Sequence, residues 1–204
     1  MIKMADIVYK FGGSLYLNIT NECPCRCVFC VRDIKDTMGT GTNMWHEKTP
    51  TFEEIKAAVD SSDIADYSSV VFCGYGEPTC EIDNLVETAK YIKEKYGVKT
   101  RLNTNGLGSL YNGRDIVGEL KGCIDSVSVS LNAPDEEKYL NITRNVFGGG
   151  SFGAMLDFTK KCVENGISVR MTVVDILKED EIKKCAEIAA SVGAKFDARS
   201  YIKE

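Results

Sequence analysis

Two spacings of apolar residues alternate along the chain, and their alternation predicts the fold class. Runs with apolar side chains at every second position, the signature of strands, recur between segments whose apolar residues fall three and four apart, the signature of helices. Residues 7–11 and 14–20 are β-prone and are joined by Gly12 and Gly13, a two-residue turn suited to a hairpin. Residues 31–50 show no clear period and contain the lone Trp45 and the lone His46, which predicts a long functional loop. From Thr51 the two patterns alternate regularly. Thr51 and Glu54 form a capping box ahead of Ile55, Ala58 and Val59. Residues 69–73 read as a buried strand ending in Gly74-Tyr75-Gly76-Glu77-Pro78. Asp83 is the expected N-cap of the next helix, with Leu85, Ala89, Ile92 and Tyr96 on one face and Gly97 as its stop. Strands then follow at 98–105, 124–132, 167–174 and 194–202. Between them lie helices at 115–120, from Pro134, at 152–164, and around Ile182, Cys185, Ala189 and Val192 up to Gly193.

Counted from the second run of the hairpin, this order is six strands with five intervening helical segments, an α/β fold of parallel βα units. A doubly wound sheet and an open barrel share the order, and the strands separate them. In the fourth strand Val127, Val129 and Leu131 alternate with Ser126, Ser128, Ser130 and Asn132. In the fifth, Val169, Met171 and Val173 alternate with Ser168, Arg170 and Thr172. Strands covered by helices on both faces would be apolar nearly throughout, and a closed eight-stranded barrel fills its lumen with branched apolar side chains. One apolar and one polar face instead predict a partial (βα)6 TIM-like barrel with an N-terminal β-hairpin extension. The alternative is an α/β sheet with one exposed face.

Composition narrows the class of protein. The 204 residues suffice for one domain spanning 1–204, with 44% hydrophobic and 27% charged residues. A net charge of -5 leaves no footprint for wrapping nucleic acid, so that partner is not favoured. The N-terminus lacks the apolar core of a signal peptide and no run approaches the ~18 apolar residues of a membrane span, which predicts a cytoplasmic protein. Nine cysteines, an odd number, are poorly explained there by disulfides. Cys73, Cys123, Cys162 and Cys185 lie in apolar patterns and are expected to be small buried hydrophobes.

The other cysteines carry the candidate chemistry. Cys23, Cys25, Cys27 and Cys30 fall within eight residues, and three of them follow a C-x3-C-x2-C spacing with Phe29 directly before the last. Closely spaced thiolates on a loop can converge on one soft metal centre, and three ligands are one short of a closed site. An iron-sulfur cluster held this way keeps one iron open; a zinc site borrowing His46 or Cys80 and accidental clustering are the alternatives. Cys25 is a poor ligand, because its neighbours two residues away on either side are already used. The second motif, Gly74 to Pro78, ends the second strand as the cysteine loop ends the first, so parallel strands bring both to one rim. His46 is expected to be a packing or surface residue.

With these motifs the sequence resembles the radical SAM superfamily over essentially its whole length. The strings LNITNECPCRCVFC, GYGEPT, LNTNG and SVSLNAPDEEKYL are similar to one group within it, the TatD family-associated radical SAM proteins. The resemblance implies that Cys23, Cys27 and Cys30 hold a [4Fe-4S] cluster whose open iron binds the amino and carboxylate groups of S-adenosyl-L-methionine. It further implies that Phe29 lies near the adenine, that Gly74, Tyr75, Gly76 and Glu77 receive the methionyl amino group, and that Ser130 and Asn132 face the ribose. Arg170 would meet the methionyl carboxylate. The implied activity is reductive cleavage of S-adenosylmethionine to a 5'-deoxyadenosyl radical that abstracts hydrogen from an unidentified substrate, a small molecule or, for an activase-like enzyme, a partner protein. An external one-electron reductant of flavodoxin or ferredoxin type would be required. The rival from another class is a non-enzymatic zinc or iron-sulfur redox module. The first glycine pair of the family pattern is split here by Tyr75, and no further cysteine groups suggest an auxiliary cluster.

Overall fold

Gly12 and Gly13 both take positive φ (54° and 80°), the conformation a two-residue hairpin turn requires and one that side chains resist. They join β1 (Val8–Phe11) to β2 (Ser14–Leu17) as an antiparallel pair. The computed structural model describes residues 5–200. From β2 onward every pairing is parallel and follows sequence order, through β3 (Ser69–Phe72), β4 (Lys99–Thr104), β5 (Ser126–Ser130), β6 (Ser168–Val174) and β7 (Lys195–Arg199). The connections carry α1 (Phe52–Asp60), α2 (Ile82–Tyr96), α3 (Gly108–Asn112), α4 (Val117–Leu120), α5 (Glu136–Thr143), α6 (Ser151–Glu164) and α7 (Glu179–Ser191). Strands in sequence order with helical crossovers are the architecture of a TIM-like barrel, here left open, with β1 and β7 as its edges.

The period-2 pattern explains why helices cover one face of the sheet. Register aligns Leu17, Phe72, Leu102, Val127 and Val169 across five strands, and all are buried in the main core with Leu85, Ile92, Leu120, Met155 and Phe158 from the helices. The alternate positions Tyr16, Arg101, Ser126 and Ser128 form the polar face. A second, smaller cluster of Tyr9, Met44 and Tyr75 holds the segment after the cysteines against that side of the hairpin.

The structure departs from the sequence expectation at the start of one helix and in one unforeseen short helix. The helix expected to be capped by Asp83 begins at Ile82, directly after a 3-10 turn over Pro78–Glu81. Pro78 pre-sets a helical φ and Glu77 caps that turn by accepting from the Thr79 amide, so the chain is already coiling before Asp83. Asp83 therefore sits inside the first turn, where its charge complements the helix dipole. The short α3 has no apolar period, and the last strand is described only to Arg199, with Tyr201 and Ile202 outside the described residues. Among the described residues no helix is long and apolar enough to cross a membrane.

One polar cluster fastens the bottom of the sheet. Asp125 receives Lys93 Nζ at 2.6 Å and the Thr100 amide at 2.8 Å. Burial pushes its carboxyl up, but these donors outweigh it and hold the group below the ordinary aspartate range. A depressed carboxyl stabilises the fold above its unfolded pKa, and the contribution disappears as pH falls through the lower folded value. Asp125→Asn is expected to cost about 1 kcal/mol at neutral pH, discounted for partial exposure, and nothing once pH has fallen below the folded value. Urea denaturation of both proteins across that acidic range checks it.

Candidate cofactor site

Two loops at the C-terminal rim, from β2 and β3, are pressed together by their own backbones. The Glu77 amide donates to the Glu22 carbonyl at 2.7 Å, and the Cys73 amide to the Leu17 carbonyl at 3.0 Å. The two glycines are required by space. A Cβ at Gly74 would lie 2.0 Å from Asn18 Oδ1, and one at Gly76 would lie 2.4 Å from the Thr20 carbonyl oxygen and 2.7 Å from that of Glu22. The glycine motif is thus seated on the root of the cysteine loop. The other side of that loop is tied to the end of α5, with the Arg26 and Val28 amides donating to the carbonyls of Thr143 and Ile142.

Glu77 is buried and saturated. Its Oε1 accepts from the Thr79 amide (3.1 Å), Thr79 Oγ1 (2.7 Å) and Thr104 Oγ1 (2.7 Å), and its Oε2 from the Asn105 amide (2.7 Å). Burial raises its pKa, and these donors oppose the rise. Glu77→Gln replaces one acceptor oxygen with an N–H that faces another donor, so it is expected to cost about 1–3 kcal/mol, read by chemical denaturation. Asn105 also aims its side-chain amide at Cys25 Sγ (3.6 Å), linking the end of β4 to the cysteines.

Cys23, Cys27 and Cys30 are half-buried, and Phe29 packs with Cys23 and Cys27 against the core. Cys25 is fully buried. Its hydrogen bonds with Cys23 and Cys27, then its burial, raise its pKa, whereas the bond to Cys25 lowers that of Cys23. Burial raises Cys30. Among the described residues no three His, Cys, Asp or Glu side chains are grouped as a preformed metal site.

Tyr75 turns away from the rim. Its hydroxyl donates to the Lys35 carbonyl, its amide to Asn18 Oδ1 at 3.2 Å, and Trp45 meets its ring edge-on at 5.1 Å. His46 has a structural post: its Nε2 lies 2.8 Å from the Asn18 carbonyl and its backbone exchanges hydrogen bonds with the Asn21 side chain. Burial lowers its pKa.

Ser130 ends β5, half-buried on the polar face. Asn132, two residues on, is buried with φ at 63° and with Oδ1 unpartnered. Backbone held in that region by a non-glycine residue is concentrated at functional sites. Arg170 is in the N-terminal half of β6, exposed, and paired with Asp197 of β7 at 2.9 Å, away from the rim that carries the two motifs. Cys123, Cys162 and Cys185 are buried as expected. Cys73 is only partly buried, because it follows the end of β3 on the polar side of the sheet, beside Asn103. Asn18 and Asn105 were missed as organising residues. Asn18 directly follows β2 and Asn105 directly follows β4, positions that ordinary loop entries share.

Fold and site together define an open (βα) barrel with a cysteine loop and a glycine-rich turn on one rim. The model of the Radical SAM superfamily matches residues 17–189, and the chain belongs to that superfamily. A probable GTP 3',8-cyclase of Thermococcus kodakarensis is 30% identical over 189 residues, 90% of this chain and 56% of that protein. A second, from Methanococcus maripaludis, is 29% identical over 80% of this chain and 48% of that protein. The chain spans about half the length of these curated relatives. Streptococcus suis SuiB bound to S-adenosylmethionine shares the fold, with a TM-score of 0.68 and 17% identity over 95% of this chain and 42% of that one. Superfamily members use a [4Fe-4S] cluster and S-adenosylmethionine, and the residues here suit both. Three loop thiols are the donor set of such a cluster, the glycine turn is packed directly on the root of their loop, and the buried Asn132 Oδ1 lacks a partner.

Proposed function

We propose that this chain is a radical SAM enzyme acting on an unidentified substrate within a single domain, 1–204, of a cytoplasmic protein. Cys23, Cys27 and Cys30 would hold three irons of the cluster, leaving the fourth for the amino and carboxylate groups of S-adenosylmethionine. The cofactors supply the reductive cleavage of the sulfonium; the chain supplies position and shelter. The observation that carries this reading is the backbone seat of Gly76 and Glu77 on the cysteine loop, which holds the two halves of the site together.

With its carboxylate spent on Thr79, Thr104 and Asn105, Glu77 acts as the brace of the turn. The backbone from Gly74 through Tyr75 to Glu77 is then what meets the methionyl ammonium. Phe29 would lie near the adenine, and Ser130 with the unpartnered Asn132 near the ribose. Arg170 would reach the carboxylate only by releasing Asp197. An external reductant of flavodoxin or ferredoxin type is required.

Within the superfamily, the strings around the cysteines and GYGEP favour the TatD-associated group, whose substrate here would be a small molecule or, for an activase-like enzyme, a partner protein. The identity to GTP 3',8-cyclases over most of the chain supports a second reading, a nucleotide substrate. Incubation with GTP separates the two, since a cyclised product would select the nucleotide. Metal analysis separates the enzyme from a zinc or redox module. About four irons and four sulfides per chain after anaerobic purification support the enzyme, and zinc without sulfide would contradict it.

A further inference from the structure

Asn105, half-buried directly after β4, touches both halves of the site. Its backbone amide donates to Glu77 Oε2 at 2.7 Å, and its side-chain Oδ1 accepts from the Leu107 amide at 2.8 Å. The second bond fixes which end of the side chain is the nitrogen, because a backbone N–H needs an acceptor opposite it. Nδ2 therefore faces the other way, toward the cysteines. It stands 3.6 Å from Cys25 Sγ and 4.0 Å from Cys23 Sγ, and among the described residues its hydrogen-bonding contacts are these two sulfurs.

The two sulfurs are unequal acceptors. A neutral thiol accepts weakly, whereas a thiolate bound to iron carries charge, and a hydrogen bond to a charged partner is roughly twice as strong as one between neutral groups. Cys25 is the spare cysteine and Cys23 a ligand, so in the loaded protein the shared N–H favours Cys23. Hydrogen bonds to ligand sulfurs are among the levers that set an iron-sulfur potential. Charge gives the direction: an added electron makes the sulfurs more negative, so the donor stabilises the reduced cluster more than the oxidised one.

We propose that Asn105 is a positioning residue for the cluster, donating its side-chain N–H to the Cys23 thiolate and raising the reduction potential. The inference rests on the radical SAM reading. It ties the potential to the glycine-rich turn, since the Glu77 carboxylate that braces that turn also holds Asn105.

The test is a redox titration followed by electron paramagnetic resonance, on the anaerobically reconstituted full chain without S-adenosylmethionine. Asn105→Asp keeps an oxygen for the Leu107 amide but removes the donor, and Asn105→Ala removes both. In each, the ratio of reduced to oxidised cluster at a fixed potential should fall about tenfold, about 59 mV for one electron. Both should keep about four irons per chain, because Cys23, Cys27 and Cys30 are intact. Asn112→Ala, which loses an amide that donates to the Thr79 and Gly108 carbonyls, should keep the wild-type midpoint. A wild-type midpoint in Asn105→Ala would overturn the proposal. So would one in Asn105→Asp, since the effect would then belong to the lost bond from Leu107. Failure of either variant to assemble a cluster that the wild type assembles would also overturn it, by making Asn105 part of the fold of the loop. Wild-type protein that assembles no cluster would instead overturn the enzyme reading, and this inference with it.

Discussion

Alanine at Cys23, Cys27 or Cys30 is expected to strip the iron from the protein and to lower S-adenosylmethionine cleavage by more than about 100-fold. That exceeds the roughly 10–100-fold lost when a group merely supporting a metal ligand is removed. Each of the three thiols would be one of only three protein ligands, and two cannot hold a cluster whose fourth iron must stay open. Cys25 makes the control. It is buried between Cys23 and Cys27, and Cys25→Ala should retain about four irons per chain while losing about 1 kcal/mol of stability as a truncated core residue. Iron and sulfide content with the visible spectrum of the four variants provides the check. Iron retained in Cys27→Ala but lost in Cys25→Ala would reverse the assignment.

The second large effect is expected at Gly76. Its φ is not positive, so the requirement for glycine is one of space. Alanine there would put a methyl group 2.4 Å from the Thr20 carbonyl oxygen, and that obstacle is backbone with no rotamer to relieve it. Clearing it means moving the two rim loops apart and breaking the 2.7 Å bond from the Glu77 amide to the Glu22 carbonyl. A loss of about 3 kcal/mol or more is expected, together with poor cluster retention, because the seat of the cysteine loop is what shifts. Gly118, in α4 with nothing within 4 Å of a built Cβ, is the matched control, and Gly118→Ala should be neutral or slightly stabilising. Chemical denaturation of both variants decides it.

The architecture was legible because period-2 alternation fixes which side of each strand meets the helices. Val127, Val129, Val169 and Met171 all lie in the core, and the capping box at Thr51 and the αL stop at Gly97 occur where their chemistry requires. The pairing of the cysteine loop with GYGEP followed from parallel strands ending at one rim. What the residues alone did not reveal is long-range hydrogen bonding. Glu77 reads as a solvent-facing or ligand-binding carboxylate until Thr104 and Asn105, some thirty residues later, are found to saturate it. Asn18 likewise joins Tyr75 to Met44 through contacts that no local spacing encodes.

The split glycine pair has a physical resolution. Tyr75 keeps its backbone in the motif and sends its ring into the cluster with Tyr9 and Met44, where its hydroxyl meets Lys35 and its edge meets Trp45. The departure from the family pattern thus anchors the segment after the cysteines without occupying the rim.

The central claim, that Cys23, Cys27 and Cys30 with the GYGEP turn form a working radical SAM site, is tested most directly by one product. Protein reconstituted with iron and sulfide under anaerobic conditions, reduced with dithionite and given S-adenosylmethionine, should form 5'-deoxyadenosine, and the Cys27→Ala protein treated identically should form none. A fully reconstituted, reduced wild-type protein that yields no 5'-deoxyadenosine above the variant would contradict it.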